Sequence, residues 1–253
     1  MLLEYLETVN AALSIQEVWD AHVKAMKHFG FEKLLYGFSR HKTESTFGNR
    51  HDNLMLSNHD QAYLGPYIDE GLFIHAPMVR WARENVGACS WAWVQENFDS
   101  LTEQERQVVA FNRRMGVVAG YTISFRDVSS RAKGAIGLCA PPGVSQDEVE
   151  EIWRRHGRVI VQMNNVAHLK LTSLPFASLR KPLTARQREV LEWVGEGKTT
   201  QDIATIMGLT RATVEKHLRL AREALEVETT AQAVYKAAFQ NQIFILDPSH
   251  APG

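Results

Sequence analysis

The chain has 253 residues, 45% of them hydrophobic, with 28 basic against 29 acidic side chains. That suffices for one or two cores without staples, and it excludes a protein coated in positive charge, so any nucleic-acid contact must come from a local patch. No apolar run of membrane-spanning length and no basic-then-apolar start point to a membrane span or signal peptide, and two cysteines, Cys89 and Cys139, are too few for a disulfide framework, so a cytoplasmic protein is expected.

The first two-thirds mixes helix and strand signals. Ser14 and Glu17 form a capping box ahead of Ile15, Val18, Trp19, Val23 and Met26 at helical spacing, and Gly30 ends that helix. Leu34–Phe38 reads as a buried strand. Tyr63, Tyr67 and Leu72 fall in a second helical region, punctuated by Pro77. Thr102 and Glu105 make another box, opening a helix closed by Gly116. Val117–Phe125 and Ala135–Ala140 read as strands joined by the polar turn Arg126–Lys133. Ser145 and Glu148 start a long helix to about Lys170. Helices alternating with short strands predict a central sheet flanked by helices.

Thr172–Pro182, with its prolines and serines, reads as a linker. Everything beyond it is helical, up to a loose tail at Pro248–Gly253. Thr184 and Gln187 box a helix through Gly195 that carries Val190, Leu191 and Val194. Thr199 or Thr200 caps a short helix with Ile203, Ala204 and Ile206. Gly208 sits at a tight turn, and Thr210 caps a helix with Val214, Leu218, Ala221 and Leu225 on one face. The opposite face shows Arg211, Glu215, Lys216, Arg219 and Arg222. Between Lys181 and Arg222, eight basic residues stand against five acidic ones, a local balance of +3. A short helix, a glycine turn and a basic amphipathic helix make a major-groove reader, although a small helical bundle with a solvated face has the same caps and charges.

The residue order separates these readings. Leu183-Thr-Ala-Arg-Gln-Arg-Glu-Val-Leu191, Gly197-Lys-Thr, Ile203-Ala204, Gly208-Leu-Thr, Thr213-Val214 and His217-Leu218 closely resemble the LuxR-type helix-turn-helix over about sixty residues. Gln187 departs from the usual Glu but still suits the box position. The resemblance implies a recognition helix at about Arg211–Leu225, with Glu215 and Arg219 reaching base edges and Lys216 sharing their face. Lys198, Thr199, Thr200 and Arg222 are implied phosphate contacts, and Thr210, Arg211 and Thr213 belong to the same DNA-binding set.

Several kinds of sensor precede such a motif. A phosphorylated receiver needs acidic residues after its first strand, where this chain has Ser39 and Arg40. Residues 1–171 are instead similar to the acyl-homoserine-lactone receptors of the quorum-sensing LuxR family. The family spacing is an aromatic residue, three residues, Tyr, eight residues, Asp-Pro, then Trp. This chain has Tyr63, Tyr67, Ala76-Pro77 and Trp91, with Gly116 and Gly120 also matching. In the family a Trp N–H donates to the lactone carbonyl, a Tyr hydroxyl to the amide carbonyl, and an Asp accepts the amide N–H. Here Tyr67 keeps its role, Tyr63 replaces the Trp, and Ala76 can accept nothing. A buried amide N–H without a partner costs about 1–3 kcal/mol, roughly five- to 150-fold in affinity.

The resemblance therefore implies an α+β protein: an N-terminal α-β-α sandwich with a central antiparallel sheet that binds a small lipophilic signal, and a C-terminal all-α helix-turn-helix domain. The expected boundaries are 1–171, a linker at 172–182 and 183–246. The implied ligand contacts are Tyr63, Tyr67, Ala76, Pro77, Trp91, Thr122 and Cys139. Cys139 suits either a ligand contact or simple packing. Tyr36, Phe38 and Phe73 either line an acyl tunnel or fill the core, and His75 reads as a structural or surface residue. Expected partners are the signal, near-palindromic double-stranded DNA and a second copy of the chain, with no membrane, metal or cofactor. The long helix from Gln146 is a candidate for the dimer interface. The alternative is an orphan regulator of the same fold, controlled by a protein partner. An enzyme is not expected, since neither a Gly-x-Ser-x-Gly elbow nor a His-Glu-x-x-His site is present.

Overall fold

The structure, a computed structural model, describes residues 1–39, 53–126, 129, 131–175 and 183–244. Residues 127, 128 and 130 of the expected turn, 176–182 of the expected linker, and the tail at Pro248–Gly253 lie outside them. The chain divides into two compact units, one comprising Met1–Ala12 and Gln16–Leu171 and the other taking in the residues from Thr172 onward.

The first unit is built on a five-stranded antiparallel sheet. Its strands are β1 (Lys33–Ser39), β2 (Leu54–Ser57), β3 (Gly87–Ser90), β4 (Gly120–Ser124) and β5 (Lys133–Cys139), in the order β2-β1-β5-β4-β3. Strand β5 is central: Lys33 pairs with Cys139 and Ser39 with Lys133 on one side, and Gly120 with Cys139 on the other. All five residues of β4 are buried, as expected of a strand covered on both faces.

Helices α1 (Leu2–Ala11), α2 (Ile15–His28) and α7 (Gln146–Ser173) cover one face. The Ser145–Glu148 box opens α7: Ser145 N–H donates to Glu148 Oε2 at 2.8 Å and Glu148 N–H to Ser145 Oγ at 3.3 Å. Helix α7 buries Val149, Gly157, Ile160, Met163, Ala167 and Leu171 along one stripe. The Trp153 ring stacks on Tyr121 of β4 at 3.7 Å, and the His168 ring on Phe125 at 4.1 Å. Gly134 of β5 is required there, because a Cβ would come within 2.6 Å of the His168 ring. Tyr36 points to this face too: it is 1% exposed and hydrogen-bonds His168 Nδ1 at 2.9 Å, so of its two readings the core one holds.

The opposite face of the sheet is covered by short segments: α3 (Gln61–Leu64), a π turn (Gly65–Asp69), a 3-10 turn (Leu72–His75), α4 (Pro77–Glu84), α5 (Ala92–Glu96) and α6 (Glu103–Arg114). Pro77 does not break a helix. It opens α4 at the first position, where its missing N–H is not needed. Thr102 and Glu105 form the expected box at the start of α6, and Gly116 follows its end at φ +72°. Arg80 of α4 reaches back to the buried Glu105 at 2.6 Å and ties α4 to that helix start.

The second unit comprises α8 (Ala185–Gly195), α9 (Thr200–Met207), α10 (Arg211–Leu225) and α11 (Thr230–Phe239) around Val190, Leu191, Ile203, Val214, Leu218 and Ala221.

Candidate functional site

Between the sheet and the α3–α6 layer of the first unit lies a cavity of about 220 Å³. The chain spacing Tyr63, Tyr67, Ala76-Pro77, Trp91 converges on it: all five residues line it, together with Thr122 and Cys139. Phe38 and Phe73 line it as well, whereas His75 is exposed outside it. Gln95 and Arg113 are exposed and mark where it reaches solvent.

The local backbone explains how these side chains meet. Pro66 has no N–H to continue the α3 ladder. The chain instead widens into the π turn, closed by Glu70 N–H donating to Gly65 O at 3.0 Å, with Tyr67 buried inside it. Such single π turns recur at functional sites. The rings of Tyr63 and Tyr67 stack at 4.9 Å, and His59 stacks on the other side of Tyr63 at 4.4 Å. Phe111 of α6 closes on Tyr63 at 5.5 Å.

Most polar groups here are turned toward one another. The Tyr63 hydroxyl donates to Asn112 Oδ1 at 3.1 Å. The Trp91 indole N–H donates to Thr122 Oγ1 at 2.9 Å, which leaves the Thr122 hydroxyl proton for another acceptor. The Trp91 ring lies over Gly120, where a Cβ would come 3.0 Å from Cζ3 and 2.1 Å from Leu138 O; only glycine allows that approach. The Cys139 thiol donates to Ala140 O at 3.2 Å, and burial pushes it up to about 12, so it stays protonated. Burial also pushes the Tyr63 and Tyr67 phenols up, and their hydroxyls interact with one another. His59 is lowered to about 4 by burial and by the charge of Lys33, against the pull of Asp60, so its ring is neutral at pH 7.

Ala76 is 2% exposed and is the N-cap of α4. Its carbonyl accepts from Val79 and Arg80 N–H at 3.0 Å, but no side chain caps this helix. The alanine side chain thus leaves this helix start without a side-chain cap and the cavity wall apolar at this point. Several polar lining residues were not singled out from sequence, among them Asn53, His59 and Asn112. For Asn112 a signal existed, since Glu105, Val108 and Asn112 share the helical spacing of one inward face.

In the second unit every cap inferred from sequence is present. Thr184 accepts from Gln187 N–H, and Thr184 N–H donates to Gln187 Oε1 at 2.8 Å, so glutamine fills the box position. Thr199, not Thr200, caps α9, in a box with Asp202; hydrogen bonds from Thr199 hold that carboxyl below the usual carboxylate range. Gly208 turns at φ +64°, and the Thr210 hydroxyl accepts from Thr213 N–H while lying 2.9 Å from the Thr213 hydroxyl. Val214, Leu218, Ala221 and Leu225 are buried. Lys198, Arg211, Glu215, Lys216 and Arg219 are all exposed, and Thr200 is half-buried at the start of α9.

Two of the basic residues implied to contact DNA are engaged. Arg219 pairs with Glu223 one turn on, both more than half exposed. The half-buried Arg222 donates to Thr230 Oγ1 at 2.9 Å, at the start of α11. Helix α10 thus presents Arg211, Glu215, Lys216 and Arg219 outward, and the exposed Lys198 directly precedes the Thr199 cap of α9.

Comparison with known proteins covers both units. Residues 14–171 match the family described as "Autoinducer binding domain" and residues 181–237 that described as "Bacterial regulatory proteins, luxR family". The chain is 23% identical to the transcriptional activator protein AnoR of Acinetobacter nosocomialis over 87% of this chain and 90% of that one. It is 22% identical to the transcriptional activator protein LuxR of Aliivibrio fischeri, over 76% of each. Among solved structures, Escherichia coli SdiA superposes with a TM-score of 0.50 at 18% identity, covering 96% of this chain and 98% of that one. SdiA in complex with octanoyl-rac-glycerol gives 0.51 at 17% identity, covering 97% and 96%. These are likenesses of fold, and with the matched families they establish that the chain belongs to the luxR family of bacterial transcription regulators that carry an autoinducer-binding domain.

Proposed function

We propose that the chain is a cytoplasmic receptor whose residues 1–171 bind a small lipophilic signal, joined by a linker at 172–182 to a DNA reader at 183–246. The supporting observation is the cavity itself: residues scattered from Tyr63 to Cys139 line one largely apolar space beneath the sheet. The signal contacts are Tyr63, Tyr67, Ala76, Pro77, Trp91, Thr122 and Cys139, with the Tyr67 and Thr122 hydroxyls as the donors to its carbonyl groups. Signal binding biases a homodimer toward a near-palindromic operator. In that dimer Lys198, Thr199, Thr200 and Arg222 hold phosphates, Arg211, Glu215, Lys216 and Arg219 face bases, and Thr210 and Thr213 set the recognition helix on the backbone.

The signal differs from an ordinary acyl-homoserine lactone. Ala76 offers no acceptor for an amide N–H, and the Tyr63 and Trp91 donors are already engaged within the protein. The same self-satisfied interior favours a second reading, an orphan regulator that needs no signal. Fluorescence anisotropy on operator DNA, with and without small molecules extracted from the co-purifying fraction, separates the two. Tight binding of the extracted protein to DNA, unchanged when the molecules return, removes the receptor reading.

A further inference from the structure

We propose that the signal carries a second hydrogen-bonding group, a hydroxyl, at its end remote from the Tyr63–Tyr67 stack, where Asn53 receives it; this rests on the receptor reading above. Asn53 immediately precedes β2 and lines the cavity. Its Oδ1 is buried and has no hydrogen-bond partner. Buried amide oxygens are nearly always paired in folded proteins, because burial strips away water without replacement. Among the described residues that line the cavity, Asn53 Oδ1 is the buried side-chain oxygen left without a partner. Tyr63 is held by Asn112, Trp91 by Thr122, Cys139 by the Ala140 carbonyl, and Lys133 Nζ by the carbonyls of Asn85 and Phe125.

The sheet register places this vacant acceptor far from the aromatic stack. Leu54, next to Asn53, pairs with Phe38, and the neighbouring Ser39 pairs with Lys133 at the start of β5. At the opposite end of β2, Ser57 pairs with Leu35, and the chain then continues to His59 and Tyr63. On β5 that same end is Cys139, paired with Lys33. Six strand steps of about 3.3 Å separate Lys133 from Cys139, roughly 20 Å along the cavity wall. Leu35, Phe73, Val79 and Ile136 line the space between and take an apolar body. A ligand ending in a methyl group leaves the Asn53 amide orphaned. A hydroxyl satisfies it in either amide orientation, because it both donates and accepts.

The test is isothermal titration of the full chain with two matched series, N-acyl-homoserine lactones and monoacylglycerols of C6–C12 chains, each with a terminal methyl and with a terminal hydroxyl. The expected result is that, at the best-fitting length, the hydroxylated member binds at least about fivefold tighter. Asn53→Leu is expected to abolish that preference without weakening the methyl-ended partner, and Asn53→Ala serves should the leucine variant not fold. The wild-type comparison needs no variant. Methyl-ended members binding as tightly as hydroxylated ones at every length overturns the proposal while leaving the receptor reading intact, as does a preference that survives both substitutions. If nothing in either series binds and no small molecule co-purifies, the receptor reading falls and this proposal with it.

Discussion

The Tyr63 hydroxyl donates to Asn112 Oδ1 at 3.1 Å, from α3 to α6. The Tyr63 hydroxyl is therefore held by the protein's own frame. Tyr63→Phe is expected to cost about 0.5–1.5 kcal/mol of stability, the net worth of one hydrogen bond, and to leave signal affinity nearly unchanged. Tyr67→Phe is expected to lower signal affinity about fivefold, equivalent to about 1 kcal/mol. Urea unfolding and titration with the co-purified signal measure the two effects. Loss of signal binding in Tyr63→Phe at unaltered stability would show that the hydroxyl turns to the ligand.

Restoring a carboxylate at position 76 has two separable consequences. Ala76 is the uncapped N-cap of α4, so Ala76→Asp supplies an acceptor to the first free N–H groups and is expected to stabilise the apo protein by about 1 kcal/mol. It also supplies the missing acceptor for an amide N–H, so affinity for acyl-homoserine lactones is expected to rise by roughly five- to 150-fold. A melting curve without ligand reads the first, and a lactone chain-length series reads the second. Tight wild-type lactone binding, unimproved in the variant, would make the lost carboxylate irrelevant to specificity.

His22 is 1% exposed beneath the sheet. Asn164 Nδ2 donates to Ile160 O, which leaves Oδ1 to accept His22 Nε2–H at 3.0 Å; the other ring nitrogen lies 2.8 Å from the Tyr5 hydroxyl, which also bonds Met163 O at 3.0 Å. Burial lowers this imidazole to about 4, against the Asn164 hydrogen bond, and His59 is lowered as far. An unfolded histidine takes up its proton near pH 6.5, so between about pH 6.5 and pH 4 the unfolded chain binds more protons than the folded one. Stability is therefore complete above that window and falls as the pH drops through it. Calorimetry is expected to show a Tm that declines over this range, with a shallower decline in His22→Gln. Equal slopes for the two proteins would mean that His22 is charged in the fold.

How much of this was legible in the sequence depended on whether the signal was local. Capping boxes at Thr102, Ser145 and Thr184 marked helix starts because the cap and its partner sit three residues apart in any context. The strands β1, β4 and β5 announced themselves by apolar runs, but β2 (Leu-Met-Leu-Ser) and β3 (Gly-Ala-Cys-Ser) are four residues long and contain no β-branched residue. Only pairing with β1 and β4 makes them strands. Helix α1 was missed because its stretch opens directly at Met1, with no capping side chain. At the site, the spacing of Tyr63, Tyr67, Ala76 and Trp91 located the cavity through resemblance. Asn53 and His59 were invisible, since one polar residue at either end of a short edge strand looks like an ordinary turn. That the Tyr63 and Trp91 donors are already occupied is a tertiary fact, requiring Asn112 and Thr122 from elsewhere in the chain.

The recognition helix gives the last expectation. Arg219 is exposed on α10 and paired with Glu223, with both side chains more than half in solvent. Such a pair is worth about 0–1 kcal/mol, so a base edge can compete for the guanidinium. Arg219→Ala is expected to weaken operator binding by about 1–3 kcal/mol and to relax preference at one position of each half-site. Glu223→Ala removes the competitor and one like-signed repulsion toward DNA, so it is expected to strengthen binding modestly to all sequences. Lys198 is exposed directly ahead of the Thr199 cap of α9 and is read as a phosphate contact. Its replacement by Ala is expected to weaken specific and nonspecific binding alike and to reduce the salt slope by about one. Anisotropy titrations on the operator and a scrambled duplex at several salt concentrations distinguish the three variants. If Arg219→Ala lowers affinity equally for both duplexes, the side chain holds a phosphate, and base reading passes to Glu215 and Lys216 on the same exposed face.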